Sequence, residues 1–82
     1  MSRLVKIYRS PSVQGMYLYV DFREDLQRVP EALLKRFGNP IEAMSLELTP
    51  VRKLARADAD AVLRNIEEAG YYLQMPPSVE VL

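Results

Sequence analysis

Two runs of strand-forming residues stand close together near the start of the chain, and their spacing constrains the fold more than any other feature. Leu4-Val5-Lys6-Ile7-Tyr8-Arg9 and Met16-Tyr17-Leu18-Tyr19-Val20 are rich in β-branched and aromatic residues, which suit a pleated, half-buried surface. Between them lies Ser10-Pro11-Ser12-Val13-Gln14-Gly15. Pro fixes φ and Gly permits positive φ, so this is turn chemistry. Parallel strands need a crossover of about a dozen residues or more. A connection this short therefore predicts an antiparallel hairpin.

The rest of the chain is punctuated in the same way. Residues 21–28 are charged, with Phe22 and Leu26 four apart, and read as one helical turn or a structured loop. Pro30 suits the first position of a helix, with Val29, Leu33, Leu34 and Phe37 on one face. Gly38 fits the position after the helix and Pro40 blocks continuation. Ile41 to Leu48 reads as a third strand, with Met44, Leu46 and Leu48 pointing one way and Ala43, Ser45 and Glu47 the other. Thr49-Pro50 resembles a cap and first helical residue, predicting a turn over residues 51–55 and a second helix start at Asp58. Ala59, Val62, Leu63, Ile66 and Ala69 then form an apolar stripe at helical spacing. Asp58 and Asp60 sit where the helix dipole favours negative charge. Gly70 ends the helix, residues 71–75 form a last strand, and Pro76-Pro77 stops it. The order is β-β-α-β-α-β. It predicts an α+β fold, a two-layer α/β sandwich whose mainly antiparallel sheet begins with a hairpin. Residues 1–77 form the single domain and 78–82 a short flexible tail.

Composition narrows the chemistry. The 82 residues suffice for one modest core. The chain has neither Cys nor His, which removes thiol nucleophiles, imidazole or thiolate metal sites and the Ser-His-Asp triad. Eleven basic residues balance eleven acidic ones. Residues 1–40 hold seven basic and four acidic, a net +3, and residues 41–82 the reverse. The early charge at Arg3 and Lys6 argues against a signal peptide, and no stretch approaches the ~20 apolar residues of a spanning helix. A cytoplasmic location with no membrane contact is the expectation.

The blocks Tyr8-Arg9-Ser10, Tyr17-Leu18-Tyr19-Val20, Val29-Pro30, Phe37-Gly38 and Gly70-Tyr71-Tyr72-Leu73-Gln74-Met75-Pro76-Pro77 occur in this order. In this the chain resembles the YcgL-domain family, small uncharacterised proteins of gammaproteobacteria. The likeness spans roughly residues 4–77, and the GYYLQ-x-PP block is its most specific part. It implies an α/β layered domain. It implies no reaction, cofactor or catalytic residue.

Candidate sites follow from alternation. If Val5 and Ile7 face the core with Met16, Leu18 and Val20, then Lys6, Tyr8, Tyr17 and Tyr19 share the opposite face, joined by Ser45 from the third strand and, if Tyr71, Leu73 and Met75 face inward, by Tyr72 and Gln74. Such a face suits a protein partner. With Arg3, Lys6 and Arg9 it also suits RNA or single-stranded nucleic acid, through stacking and phosphate contacts. The plainer alternatives are cross-strand tyrosine pairing, or a helix covering the rings. Arg52, Lys53 and Arg56 near a helix start form a possible anion site, or a solvated face. Asp21, Glu24 and Asp25 lack the glycine and final glutamate of a calcium loop, and offer little as a hydrolytic site.

The expectation is a non-enzymatic protein-interaction domain, without cofactor or metal, using the tyrosine face or the adjacent sheet edge. Nucleic-acid binding is the alternative, and a small enzyme using the acidic cluster a distant third. An open edge strand also allows a weak homodimer beside the monomer.

Overall fold

A computed structural model describes residues 2–54 and 57–76. The elements are β1 (Arg3–Arg9), β2 (Tyr17–Asp21), α1 (Glu31–Phe37), β3 (Ile41–Leu48), α2 (Ala59–Ala69) and β4 (Tyr71–Gln74). The four strands make one sheet in the order β3-β1-β2-β4, with every neighbouring pair antiparallel. The α+β class, the element order and the opening hairpin are as the sequence predicts.

The sheet carries a cover on each face, over β1, β2 and β4 and the Leu48 end of β3. Register places Ile7 opposite Tyr19 and Tyr19 opposite Tyr72, so these side chains project to one side. There they pack with Val5, Leu48 and the α2 residues Ala59, Val62, Leu63 and Ile66. Tyr8 lies opposite Leu18, and Lys6 opposite Val20. That side is filled by Tyr8, Met16, Leu18, Val20, Val29 and Phe37, with Leu26, Leu33 and Leu34 packed against them. The two helices thus divide between the faces, and the expected second layer becomes a cover on each side of the sheet.

Local chemistry explains most boundaries. The Ser10 hydroxyl accepts from the amides of Ser12 and Val13, at 3.1 and 2.9 Å, and donates to the Phe37 carbonyl. One buried side chain therefore shapes the hairpin loop and ties it to the end of α1. Pro30 precedes α1, and its carbonyl accepts from the amides of Leu33 and Leu34. Gly70 closes α2 in the left-handed region, at φ 91°, with its amide on the Ile66 carbonyl at 2.9 Å. A β-carbon there would run into the Arg28 side chain. Arg28 itself donates to the Glu68 carbonyl at 3.1 Å, occupying one of the carbonyls that a helix end leaves free.

One segment departs from expectation. The Thr49-Pro50 signal starts a turn, in which the Arg52 amide meets the Thr49 carbonyl at 3.0 Å. No helical turn follows over residues 51–54. Lys53 instead forms an antiparallel bridge with Asp58, while Leu54 and Ala57 pack against the core under α2. Burying those two side chains and bridging the backbone takes the place of helical hydrogen bonds. β4 is also one residue shorter than expected, ending at Gln74. The proposed tail lies outside the described residues.

Candidate functional site

The residues expected to share one open face do not share a face. Tyr17, Tyr19, Tyr72 and Gln74 lie together on the side covered by α2, and Lys6 and Tyr8 lie on the other. The reason is hairpin register. Val5 pairs with Asp21 and Ile7 with Tyr19, so odd positions of β1 match odd positions of β2. The expectation matched odd with even, and a slip of one residue moves every side chain to the other face. Both sides of β2 are buried, so apolar alternation alone leaves the register open.

The tyrosines behave as core residues with satisfied polar tips. Tyr19 is 6% exposed and meets Tyr72 edge to face, with ring centres 5.7 Å apart at 81°. Its hydroxyl donates to Gln74 Oε1 at 2.9 Å, and Gln74 is itself buried. Burial, then the neighbouring Tyr72 and Tyr17 hydroxyls, push the Tyr19 phenol above its ordinary value. Tyr8 is 8% exposed, and its hydroxyl donates to Asp25. Burial, the hydrogen bond to Asp25, and the charges of Asp25 and Glu42 raise its phenol.

Lys6 is placed by the same carboxylate. Its Nζ lies 3.3 Å from Asp25 Oδ2 and 4.8 Å from the centre of the Phe22 ring, a cation–π distance. Asp25 adopts φ 54°, a left-handed conformation that Asp tolerates better than most residues. The charge-rich loop thus folds its acid back onto β1. Arg3 is likewise engaged, 3.0 Å from Asp21 and 3.3 Å from Glu67. Two of the three cations suggested for nucleic-acid contact therefore have carboxylate partners. Arg9 is exposed.

The acidic cluster is organised inward. Asp21 Oδ2 accepts from the amides of Arg23 and Glu24 at 2.9 and 3.0 Å, while Oδ1 accepts from Arg3. Burial alone would raise its carboxyl. The Glu24 amide, Arg3 and the Arg23 amide outweigh burial and hold it below the usual carboxylate range. Glu24 lies 3.6 Å from Arg28. Among the described residues no group of three acidic side chains is arranged to hold a metal ion. Arg52 and Lys53 are exposed in the β3–α2 connection, so they lack the helical face that the anion site presumed. Arg56 lies outside the described residues. A shallow groove of about 340 Å³ follows α2 past Pro50, Leu63 and Glu67. Its cation, Arg64, sits 3.6 Å from Asp60.

What the surface does offer is β3. It is eight residues long and forms one end of the sheet. Residues 41–45 and Glu47 are all exposed, Leu46 is half-buried, and only Leu48 is buried. Ile41 is 37% and Met44 52% exposed. Alternation in the sequence places Met44, Leu46 and Leu48 on one side of the strand. Their alternation is real, but the cover reaches only the Leu48 end. A signal was available in Glu42, a charge that shares the parity of Met44, Leu46 and Leu48 and marks that end of the strand as exposed.

The comparisons give the lineage. The family model for the YcgL domain matches residues 5–77. The chain belongs to the YcgL domain family. It is 58% identical over 78 residues to a YcgL domain-containing protein of Stutzerimonas stutzeri (strain A1501), covering 95% of this chain and 80% of that one. It is 56% identical over 80 residues to one from Pseudomonas aeruginosa (strain LESB58), covering 98% and 82%. A third, from Cellvibrio japonicus (strain Ueda107), is 54% identical over 77 residues, covering 94% and 79%. These relatives come from gammaproteobacteria, and their names state a domain and no activity. No helix among the described residues of this YcgL domain is long and apolar enough to cross a membrane.

Proposed function

We propose that this YcgL domain is a non-catalytic protein-interaction module that works in the cytoplasm. Its docking element is the outer edge of β3, on which a partner lays an extended segment as a fifth strand. One observation carries the reading: a long edge strand with its first five residues exposed. Edge strands present a row of free amide and carbonyl groups, and are ready templates for another chain. Native edges are usually short, bulged or charged with lysine. β3 has no lysine and no proline, and its interruption is a register shift opposite Ile7 and Tyr8. The carboxylates suggested for acid–base work are engaged with Arg3, Lys6 and Arg28, which supports a binding role over a catalytic one.

Photo-crosslinking tests this reading. A crosslinker replacing Ser45 in the living cell should give a discrete adduct. The same group replacing exposed Ala32 on α1 should not. Added to the purified domain, the captured partner should slow amide exchange along β3. Equal labelling at both positions, or unchanged β3 exchange, overturns it.

A further inference from the structure

We infer that the strand accepted by β3 carries basic and apolar residues in alternation, with two basic residues four positions apart. This rests on the strand-acceptor reading and adds the chemistry of the occupant. The register with β1 sorts the side chains of β3 to two sides. Glu47, Ser45 and Glu42 lie opposite Leu4, Lys6 and Tyr8, on the side of Tyr8 and Asp25. Leu46, Met44 and Ile41 lie opposite Val5, Ile7 and Arg9, on the side of α2. An added strand continues both sides of the sheet, so it meets an acidic row on one and an apolar row on the other.

The spacing comes from the register shift. Glu42 and Glu47 are five apart in sequence. Their partners on β1, Leu4 and Tyr8, are four apart, because Ala43 has no partner of its own. A regular strand on the outer edge counts as β1 does. Its basic residues therefore fall at a first and fifth position, opposite Glu47 and Glu42. Apolar residues fall at the second and fourth, beside Leu46 and Met44.

Charge supports the sign. Lys6, the cation that β1 sends to the acidic side, is engaged by Asp25. None of the ion pairs among the described residues involves Glu42 or Glu47. Glu47 accepts a hydrogen bond from Ser2 Oγ at 3.1 Å, which leaves its charge in place. Opposite charges directly across a strand pair attract and like charges repel. A basic segment is therefore drawn to this edge, and an acidic one, including a second copy of β3 with its own glutamates, is disfavoured.

The test uses three short fluorescein-labelled peptides with blocked ends. The first has the central pattern lysine–valine–serine–valine–lysine, the second has glutamates in place of the lysines, and the third is the lysine peptide with alternate backbone nitrogens methylated. The lysine peptide should bind at least about tenfold more tightly than the glutamate peptide at low salt, with the margin shrinking as salt rises. Glu42→Lys with Glu47→Lys should reverse that preference. Both residues are exposed, so the exchange leaves the core intact. Equal binding of the lysine and glutamate peptides, with loss on methylation, keeps the strand-acceptor reading and overturns the charge inference. Methylated and unmethylated lysine peptides binding alike overturns strand addition itself. Binding by neither charged peptide overturns both. A stable dimer sealed through β3 overturns the basic segment as occupant.

Discussion

The two ends of the sheet solve the same problem in opposite ways. β4 is four residues long, lies beneath α2, and has its Gln74 buried. β3 is twice as long, packs chiefly on β1, and is bare over residues 41–45. At the β4 end the two covers are also fastened together, since Arg28, from the segment before α1, reaches the last turn of α2 and lies against Gly70. Nothing comparable joins them at β3 among the described residues. An edge is made safe by being short and covered. A small domain that protects one edge this thoroughly and leaves the other open has concentrated its capacity for association on one side.

The contrast is broken or sharpened first by truncation. Ile66→Ala, beneath the covered side, should cost about 2–5 kcal/mol, the usual penalty for emptying a packed core site. Met44→Ala on the bare strand should stay within about 0.5 kcal/mol. Urea midpoints of the two variants measure the difference, and similar losses would mean that β3 is no freer than β4. Gly70→Ala should come next, at about 1–2 kcal/mol for a left-handed backbone, with additional loss as Arg28 is displaced. If thermal unfolding is unchanged, the fastening at β4 is dispensable.

Tyr19→Phe removes the hydroxyl that Gln74 receives. The expected loss is about 1 kcal/mol, measured by denaturant titration. The matching change on the open side, Ser45→Ala, should be neutral. The smallest expected loss is tied to the pH dependence of Asp21, which links β2 through Arg3 to Glu67 on α2. Its folded-state carboxyl titrates below the ordinary value near ~3.9. The stability this gives is complete above the unfolded value and fades as pH falls through the lower folded one. Asp21→Asn should therefore lower the urea midpoint at neutral pH, and the gap should narrow as the pH drops below about 4.

Much of this architecture was legible in the residues. The turn chemistry between Arg9 and Met16, the proline before α1, the glycines after both helices and the stripe through Val62 and Ile66 locate the elements. The site was less legible, for a physical reason. Tyrosine suits either a buried or an exposed position, so Tyr17 and Tyr19 say nothing about which side of β2 faces which helix. Register is fixed by the loop, through the Ser10 hydroxyl and the bond from the Ser10 amide to the Met16 carbonyl at 3.0 Å. Those contacts depend on Phe37, far along the chain. The segment near Lys53 escaped for a similar reason: Thr49-Pro50 is a sound local start signal, overruled by the burial of Leu54 and Ala57.

The unpartnered Ala43 has a consequence for how long any guest stays. It interrupts the even rhythm of β3, so an incoming chain meets regular backbone between Met44 and Leu48 and must cross the irregularity at Ala43 to reach Glu42. So short a stretch of main-chain bonding holds loosely, and side chains must decide which guest is kept. Such an edge favours brief, selective encounters over permanent assembly, and resists the runaway stacking that a longer uninterrupted border would invite.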